Sequence, residues 1–197
     1  MKLRSLFLAA GLVLAGSPAF AHLNPAEHGS FGSGFSHPLF GMDHILVMVA
    51  VGLWAFQNGD RSVWLIPSAF VATMLAGFGL SLTGVPLPLV EPAILASVVA
   101  LGLLVAMAVR LPVVPAAAIV SVFALFHGHA HGAEIGTAGA FGYAAGFAIA
   151  TALLHAAGIA IAWGIGAALG ADTRKGEMVV RFLGGITALV GLSLFAG

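Results

Sequence analysis

Two short stretches hold most of the side chains that could do chemistry. HPLFGMDHILVM, residues 37–48, carries His37, Asp43 and His44, and FHGHAHGAE, residues 126–134, carries His127, His129, His131 and Glu134. The chain has 8 histidines and no cysteine. Two more of these histidines, His22 and His28, lie near the N-terminus, and His155 stands alone within a long apolar segment. Imidazole with carboxylate, and without thiolate, suits borderline divalent metals such as nickel, cobalt or zinc. A lone histidine in an apolar segment is as readily a hydrogen-bonded packing residue, and His155 fits that reading on its own.

Spacing assembles these residues into sets. His37 and His44 are seven residues apart, so they share a face if one helix begins early enough to include both. Pro38 suits a first helical turn, which puts His37 at or just outside the cap. Asp43 sits about 100° around from His44, where it can ligate directly or orient a histidine through its second ring nitrogen. His127 and His131 are spaced i, i+4 and Glu134 follows three residues later, which gathers all three on one face. His129 points to the other side, and Gly128 and Gly132 are expected to loosen the helix. Met42 and Met48 read as packing residues.

The segment 22–36, HLNPAEHGSFGSGFS, allows two readings. A free α-amine on His22 could chelate with its own imidazole, and with Glu27 and His28 the tail could collect metal or cover a site. Its Gly/Ser content reads equally as a flexible lead-in.

The elements that must position these residues are set by composition. The chain is 60% hydrophobic and 7% charged over 197 residues, against roughly 25% charged in a soluble domain. Its mean hydropathy is +1.10. This predicts an all-α, polytopic bundle in a lipid bilayer with small loops. The formal net charge is zero with histidine neutral, so there is no basic patch to attract nucleic acid. Lys2 and Arg4, the apolar run 6–15 and Ala19-Phe20-Ala21 describe a cleavable signal peptide over 1–21. The alternative is an uncleaved first span, for which the apolar run is short. A periplasmic segment 22–36 and a six-helix transport domain 37–197 follow. Spans are expected at 38–56, 63–82, 93–109, 113–132, 140–169 and 179–195. Gly142 with Gly146, and Gly166 with Gly170, stand at GxxxG spacing, which favours close helix packing and permits self-association into a homo-oligomer.

Charge orients the bundle. Cleavage puts the mature N-terminus in the periplasm, and six crossings return the C-terminus to the same side. The first, third and fifth connections then face the cytoplasm. They hold Arg61, Arg110, and Arg174 with Lys175, and Arg181 lies just inside the sixth span. The outer loops have no lysine or arginine, as the positive-inside rule requires of the bacterial inner membrane. With this orientation the first span runs inward and the fourth outward, so both histidine clusters fall in the outer half of the membrane. Intramembrane ionisable residues are expensive and commonly mark ion pathways. Histidines and carboxylates converging at one depth favour a metal site over a packing network.

The two motifs, HPLFGMDHILVMVAVGLWA and FHGHAHGAE, resemble those of the HupE/UreJ family of nickel and cobalt permeases. The resemblance covers essentially the whole mature chain. It implies a secondary transporter that imports Ni²⁺ or Co²⁺ as substrate, with no prosthetic group and no enzymatic activity, and that indirectly supplies nickel or cobalt enzymes. It also implies that His37, Asp43 and His44 are the essential positions of the first motif, with His127, His131 and Glu134 their counterparts in the second. Two other classes compete on residues alone. One is an intramembrane zinc-dependent hydrolase, although the chain has no HExxH signature. The other is a haem protein ligated by histidines on two helices.

Overall fold

Backbone groups in a hydrocarbon interior must find partners within their own segment, which makes helices the default for a chain this apolar. The computed structural model describes residues 25–136, 138–170 and 173–196, with residues 25–29 described by backbone alone. The predicted signal peptide 1–21 and His22 lie outside the described residues, as do the side chains of Glu27 and His28. The described residues form seven helices and no strand: α1 (Pro25–Phe40), α2 (Met42–Asn58), α3 (Ser62–Leu82), α4 (Val90–Ala106), α5 (Val113–Ala133), α6 (Ala140–Leu169) and α7 (Arg174–Ala196). Four of them, α3, α5, α6 and α7, are long and apolar enough to cross a membrane. The pair Ser30–Phe40 and Met42–Asn58 passes the same criterion together, bent by 80° at a short break. Helix α4 is apolar but shorter, at 17 residues.

The bend corrects the expected first span. Residues 38–56 do not form one helix. Pro38 lies in the last turn of α1, where its missing N–H weakens the ladder, and Gly41 then adopts an extended conformation (φ −86°, ψ 117°) as the cap of α2. His37 therefore belongs to a different helix from His44 and is not at a helix start. The segment from Pro25 is likewise no flexible lead-in. Its small residues are a packing surface, since a Cβ on Gly34 would collide with the Tyr143 backbone of α6, and one on Gly146 would collide with Phe31 of α1.

Other glycines close the bundle in the same manner. Gly52 of α2 and Gly158 of α6 meet backbone to backbone, with the Gly52 position against the His155 carbonyl and the Gly158 position against that of Val49. Gly128 and Gly132 do not loosen α5, which is helical through Ala133. They let α5 approach α3, at Met74 and at Phe78 with Ser81 respectively. Of the two GxxxG pairs, Gly142 and Gly146 pack against α1, whereas Gly170 has a φ of 89° and ends α6. Helices α4 and α7 pair through Gly102, Gly184 and Gly191.

Hydrogen bonds fix the end of the bundle where α2 runs into α3 and α4 into α5. Trp54 Nε1 donates to the Val109 carbonyl at 2.7 Å, Gln57 Nε2 to that of Val105 at 3.2 Å, and Leu111 N to Asn58 Oδ1 at 2.8 Å. Arg61 and Arg110 occupy the connections at this end, and Arg174 and Lys175 open α7. The C-termini of α1 and α5 and the N-terminus of α2 meet at the opposite end, where the clustered histidines are, and the N-terminus of α6 lies against Ser30 and Phe31 of α1.

Candidate metal site

Three helix ends bring six of the singled-out side chains together. His37 comes from the last turn of α1, Asp43 and His44 from the first turn of α2, and His127 and His131 from the last turns of α5, with Glu134 capping that helix. The four imidazoles form one cluster. Ring centroids are 4.8 Å apart for His37–His131, 4.9 Å for His44–His131, 5.0 Å for His44–His127 and 6.0 Å for His37–His44. His37 thus reaches His44 because the chain folds back at Gly41, not because two turns of one helix align them. His37, His131 and Glu134 each offer a ligand atom within 4.8 Å of the other two.

The cluster is graded in depth. The Glu134 side chain is 51% exposed and that of His37 22%, whereas His127 and His131 are both 0% exposed. Glu134 Oε2 accepts from His37 Nε2 at 3.1 Å across the α5–α1 gap. Glu134 lies just beyond the end of α5, and the hydrogen bond from His37 holds its carboxyl below the usual 4.5 despite partial burial.

The hydrogen bonds also determine which ring nitrogens stay free. Asp43 Oδ1 lies 3.0 Å from His44 Nδ1, and an ionised carboxylate only accepts, so His44 is protonated on Nδ1 and its Nε2 carries a bare lone pair. That Nε2 is buried and has no partner among the described residues. Of the two roles open to Asp43, the geometry supplies the orienting one. Gly41 makes room for this pair, because a Cβ there would stand 2.9 Å from both Asp43 Oδ1 and His44 Nδ1.

At His127 the partner is Ser97, on α4. Ser97 Oγ is 2.5 Å from the Ile94 carbonyl and 3.0 Å from His127 Nε2. The carbonyl can only accept, so the single hydroxyl proton goes there, and His127 must donate through Nε2. Its Nδ1 is then the free nitrogen, and it too is buried without a partner. Both nitrogens of His131 are in the same condition.

Two of the other histidines are placed elsewhere. His129 points away from the cluster, as its phase on the helix required, and donates Nε2 to the Val85 carbonyl at 2.8 Å, tying the α3–α4 connection to α5. His155 lies deeper, beyond Phe70, with no contact to the four-ring cluster at ring–ring distance. The structure also adds two residues that motif reading passed over. Ser97 was legible only as a lone hydroxyl in the apolar run AILASVVAL. Tyr143, the chain's one tyrosine, has its ring 6.3 Å from His37 and 6.5 Å from His131, and its buried hydroxyl has no partner among the described residues.

The family model described as HupE / UreJ protein matches residues 10–194, nearly the full length. The chain belongs to the HupE/UreJ family. Protein HupE of Rhizobium leguminosarum bv. viciae is 43% identical to it over 183 residues, which cover 91% of this chain and 92% of that protein. No solved structure matches. For this HupE/UreJ member the two recognised motifs thus occupy one end of the bundle, on three helix ends that meet.

Proposed function

We propose that this HupE/UreJ protein imports Ni²⁺ or Co²⁺ across the bacterial inner membrane, with the four-histidine cluster as the entry site for the ion. The observation that carries this reading is a set of buried nitrogens without partners: His44 Nε2, His127 Nδ1 and both ring nitrogens of His131. Unmet polar atoms are costly in a protein interior, roughly 1–3 kcal/mol each. A cation that accepts their lone pairs removes that cost, and Asp43 and Ser97 hold two of the rings in the tautomer it needs. Hydrated metal would exchange waters first at the exposed Glu134 and His37, then at His131, His44 and His127. Glu134 and Asp43 would offset the charge of the dication as it enters.

The bent pair α1–α2, with α3, α4, α5, α6 and α7, makes six crossings in this reading. Cleavage after Ala21 would leave both termini periplasmic, with 22–36 on that side and the transport domain from residue 37. Every lysine and arginine after the leader then faces the cytoplasm, and the cluster faces the periplasm. The metal is cargo, so no prosthetic group is required, and the imported ion would feed nickel or cobalt enzymes. The hydrolase alternative would need a free general base beside the metal. Both carboxylates at the cluster are engaged by histidines, which favours the carrier.

Flux measured in proteoliposomes, with Ni²⁺, Co²⁺ and Zn²⁺ in competition, tests the proposal. Saturable Ni²⁺ or Co²⁺ entry, lost in His44→Ala and Asp43→Asn, is expected. Wild-type uptake by both variants would overturn it.

A further inference from the structure

His155 stands apart from the entry cluster, at the centre of α6. It is 1% exposed, and neither ring nitrogen has a hydrogen-bond partner among the described residues. A neutral imidazole has one donor and one acceptor, and a protein interior rarely leaves both unmet. Packing alone does not account for this ring, because a phenyl group would fill the same space without that cost.

The surroundings of His155 give it a direction and a second donor. Its carbonyl lies against Gly52, which is eight residues beyond His44 on α2, or about 12 Å farther along that helix. Its ring meets Phe70 edge-on at 5.1 Å, and the other neighbour of Phe70 is His127, at 5.7 Å. One phenyl ring therefore separates His155 from the deepest imidazole of the entry cluster. Helical side chains lean toward their own N-terminus, and the N-terminus of α6 is at the cluster end, so His155 leans back toward Phe70. One turn earlier on α6 is Thr151, 0% exposed, whose Oγ1 donates to Met74 Sδ at 3.7 Å. Met74 stands one turn beyond Phe70 on α3, so Phe70 and Met74 face Thr151 and His155 across the α3–α6 contact.

We propose that His155 and Thr151 form a second, inner station for the same divalent cation, which receives the ion from His127. The inference rests on reading the cluster as the entry site. One imidazole nitrogen and one hydroxyl oxygen bind a dication far more weakly than four imidazoles and leave most coordination positions to water. Conduction requires binding favourable enough to admit the ion and weak enough to release it. A tight site followed by a sparse one gives that gradient, and the position of His155 beyond His127 puts the two in the right order.

The test separates binding at the entrance from passage. His155→Phe, His155→Asn and Thr151→Val are reconstituted in proteoliposomes containing a metal-sensitive dye, and Co²⁺ binding is measured on the same proteins in detergent. For His155→Phe, the Co²⁺ dissociation constant at the cluster should stay within twofold of wild type while maximal influx falls at least tenfold, the half-saturating concentration being little changed. His155→Asn, which keeps a donor atom, should recover part of the rate, and Thr151→Val should lose about threefold. Wild-type influx by His155→Phe overturns the inner station and leaves the entry site standing. If His155→Phe loses Co²⁺ binding as well, the Asn variant decides. Reduced influx with intact binding supports the station, and full influx overturns it. A wild-type protein that neither binds nor passes Co²⁺ or Ni²⁺ overturns the entry reading itself.

Discussion

Removing one hydroxyl at Ser97 should weaken metal binding without touching any proposed ligand. Ser97 Oγ is committed to the Ile94 carbonyl at 2.5 Å and so accepts the Nε2 proton of His127 at 3.0 Å. That contact keeps Nδ1 bare for a cation. In Ser97→Ala, a metal on Nδ1 would force the Nε2–H to remain buried with nothing to accept it. The metal-free ring escapes that cost by turning its N–H toward the bare Nε2 of His44 or a nitrogen of His131, acceptors that a bound metal would occupy. An unmet buried donor costs about 1–3 kcal/mol, and here it falls on the bound state alone. At 1.4 kcal/mol per decade, the dissociation constant should rise about 5- to 150-fold. Loss of partners that orient metal-ligating histidines elsewhere typically costs 10–100-fold, which falls within the same range. Ser97 is 0% exposed and small, so folding and expression should be close to wild type. Titration of Co²⁺ or Ni²⁺ into the purified protein by calorimetry measures the constant directly. Ser97→Thr, which keeps the hydroxyl, should recover most of the affinity. A Ser97→Ala protein within twofold of wild type would refute the tautomer argument, and with it the assignment of Nδ1 as the free atom of His127.

Three further outcomes follow from the same geometry. Gly41→Ala puts a methyl 2.9 Å from Asp43 Oδ1 and His44 Nδ1, so it should separate that pair and weaken metal binding about tenfold; calorimetry reads the loss, and an unchanged melting temperature confirms that the fold survives. Gly52→Ala drives a Cβ into the His155 carbonyl and the Gly158 backbone, which cannot rotate aside, so the detergent-solubilised protein should lose its monodisperse elution or melt well below wild type. Metal binding should decline as pH falls into the mildly acidic range, because ligand imidazoles must be neutral to coordinate. Glu134 has its pKa depressed by His37, so it stays charged through that window, and its stabilising pairing is lost only as pH falls through a value below 4.5. The pH midpoint of binding should therefore be the same in Glu134→Gln, and a midpoint shifted by a full unit in that variant would contradict the assignment to imidazoles.

What the sequence could reveal was governed by how local each signal is. Helical content, the positions of the helices after the first expected span and the one-face grouping of His127, His131 and Glu134 depend on composition and on a 3.6-residue period, and both survive folding unchanged. His129 was separable from its neighbours for the same reason. The association of His37 with His44 was inferred correctly as proximity but by the wrong route. Seven residues look like two turns only while the helix is continuous, and Pro38 with Gly41 turns the chain by 80° between them. A proline three residues before a glycine, next to an intramembrane carboxylate, is the local signal that could have raised a break. The role of the glycines was misjudged for a related reason. Gly128 and Gly132 are flexible only in isolation, and against α3 their lack of a side chain becomes close packing.

Ser97 illustrates the limit of motif reading most sharply. It lies 30 residues from His127, in a segment without any other polar side chain, and nothing in its neighbours points to a histidine. Its consequence is nonetheless chemical, because it decides which nitrogen of His127 is free. Asp43 does the same for His44 from the adjacent position in the chain, which is why that half of the site was legible. The cluster therefore has two orienting groups of opposite character. Asp43 brings a charge that would help neutralise an incoming dication, and Ser97 brings none. His131 has neither, and neither of its nitrogens has a partner among the described residues. An ion arriving at the mouth would meet His131 as the ring freest to choose its tautomer and turn, and His44 and His127 as rings already set. That ordering makes His131 the ring that can hand an ion from the exposed Glu134–His37 pair to the fixed pair below. His131→Ala should then slow metal association more than Ser97→Ala does, a difference that stopped-flow binding would resolve.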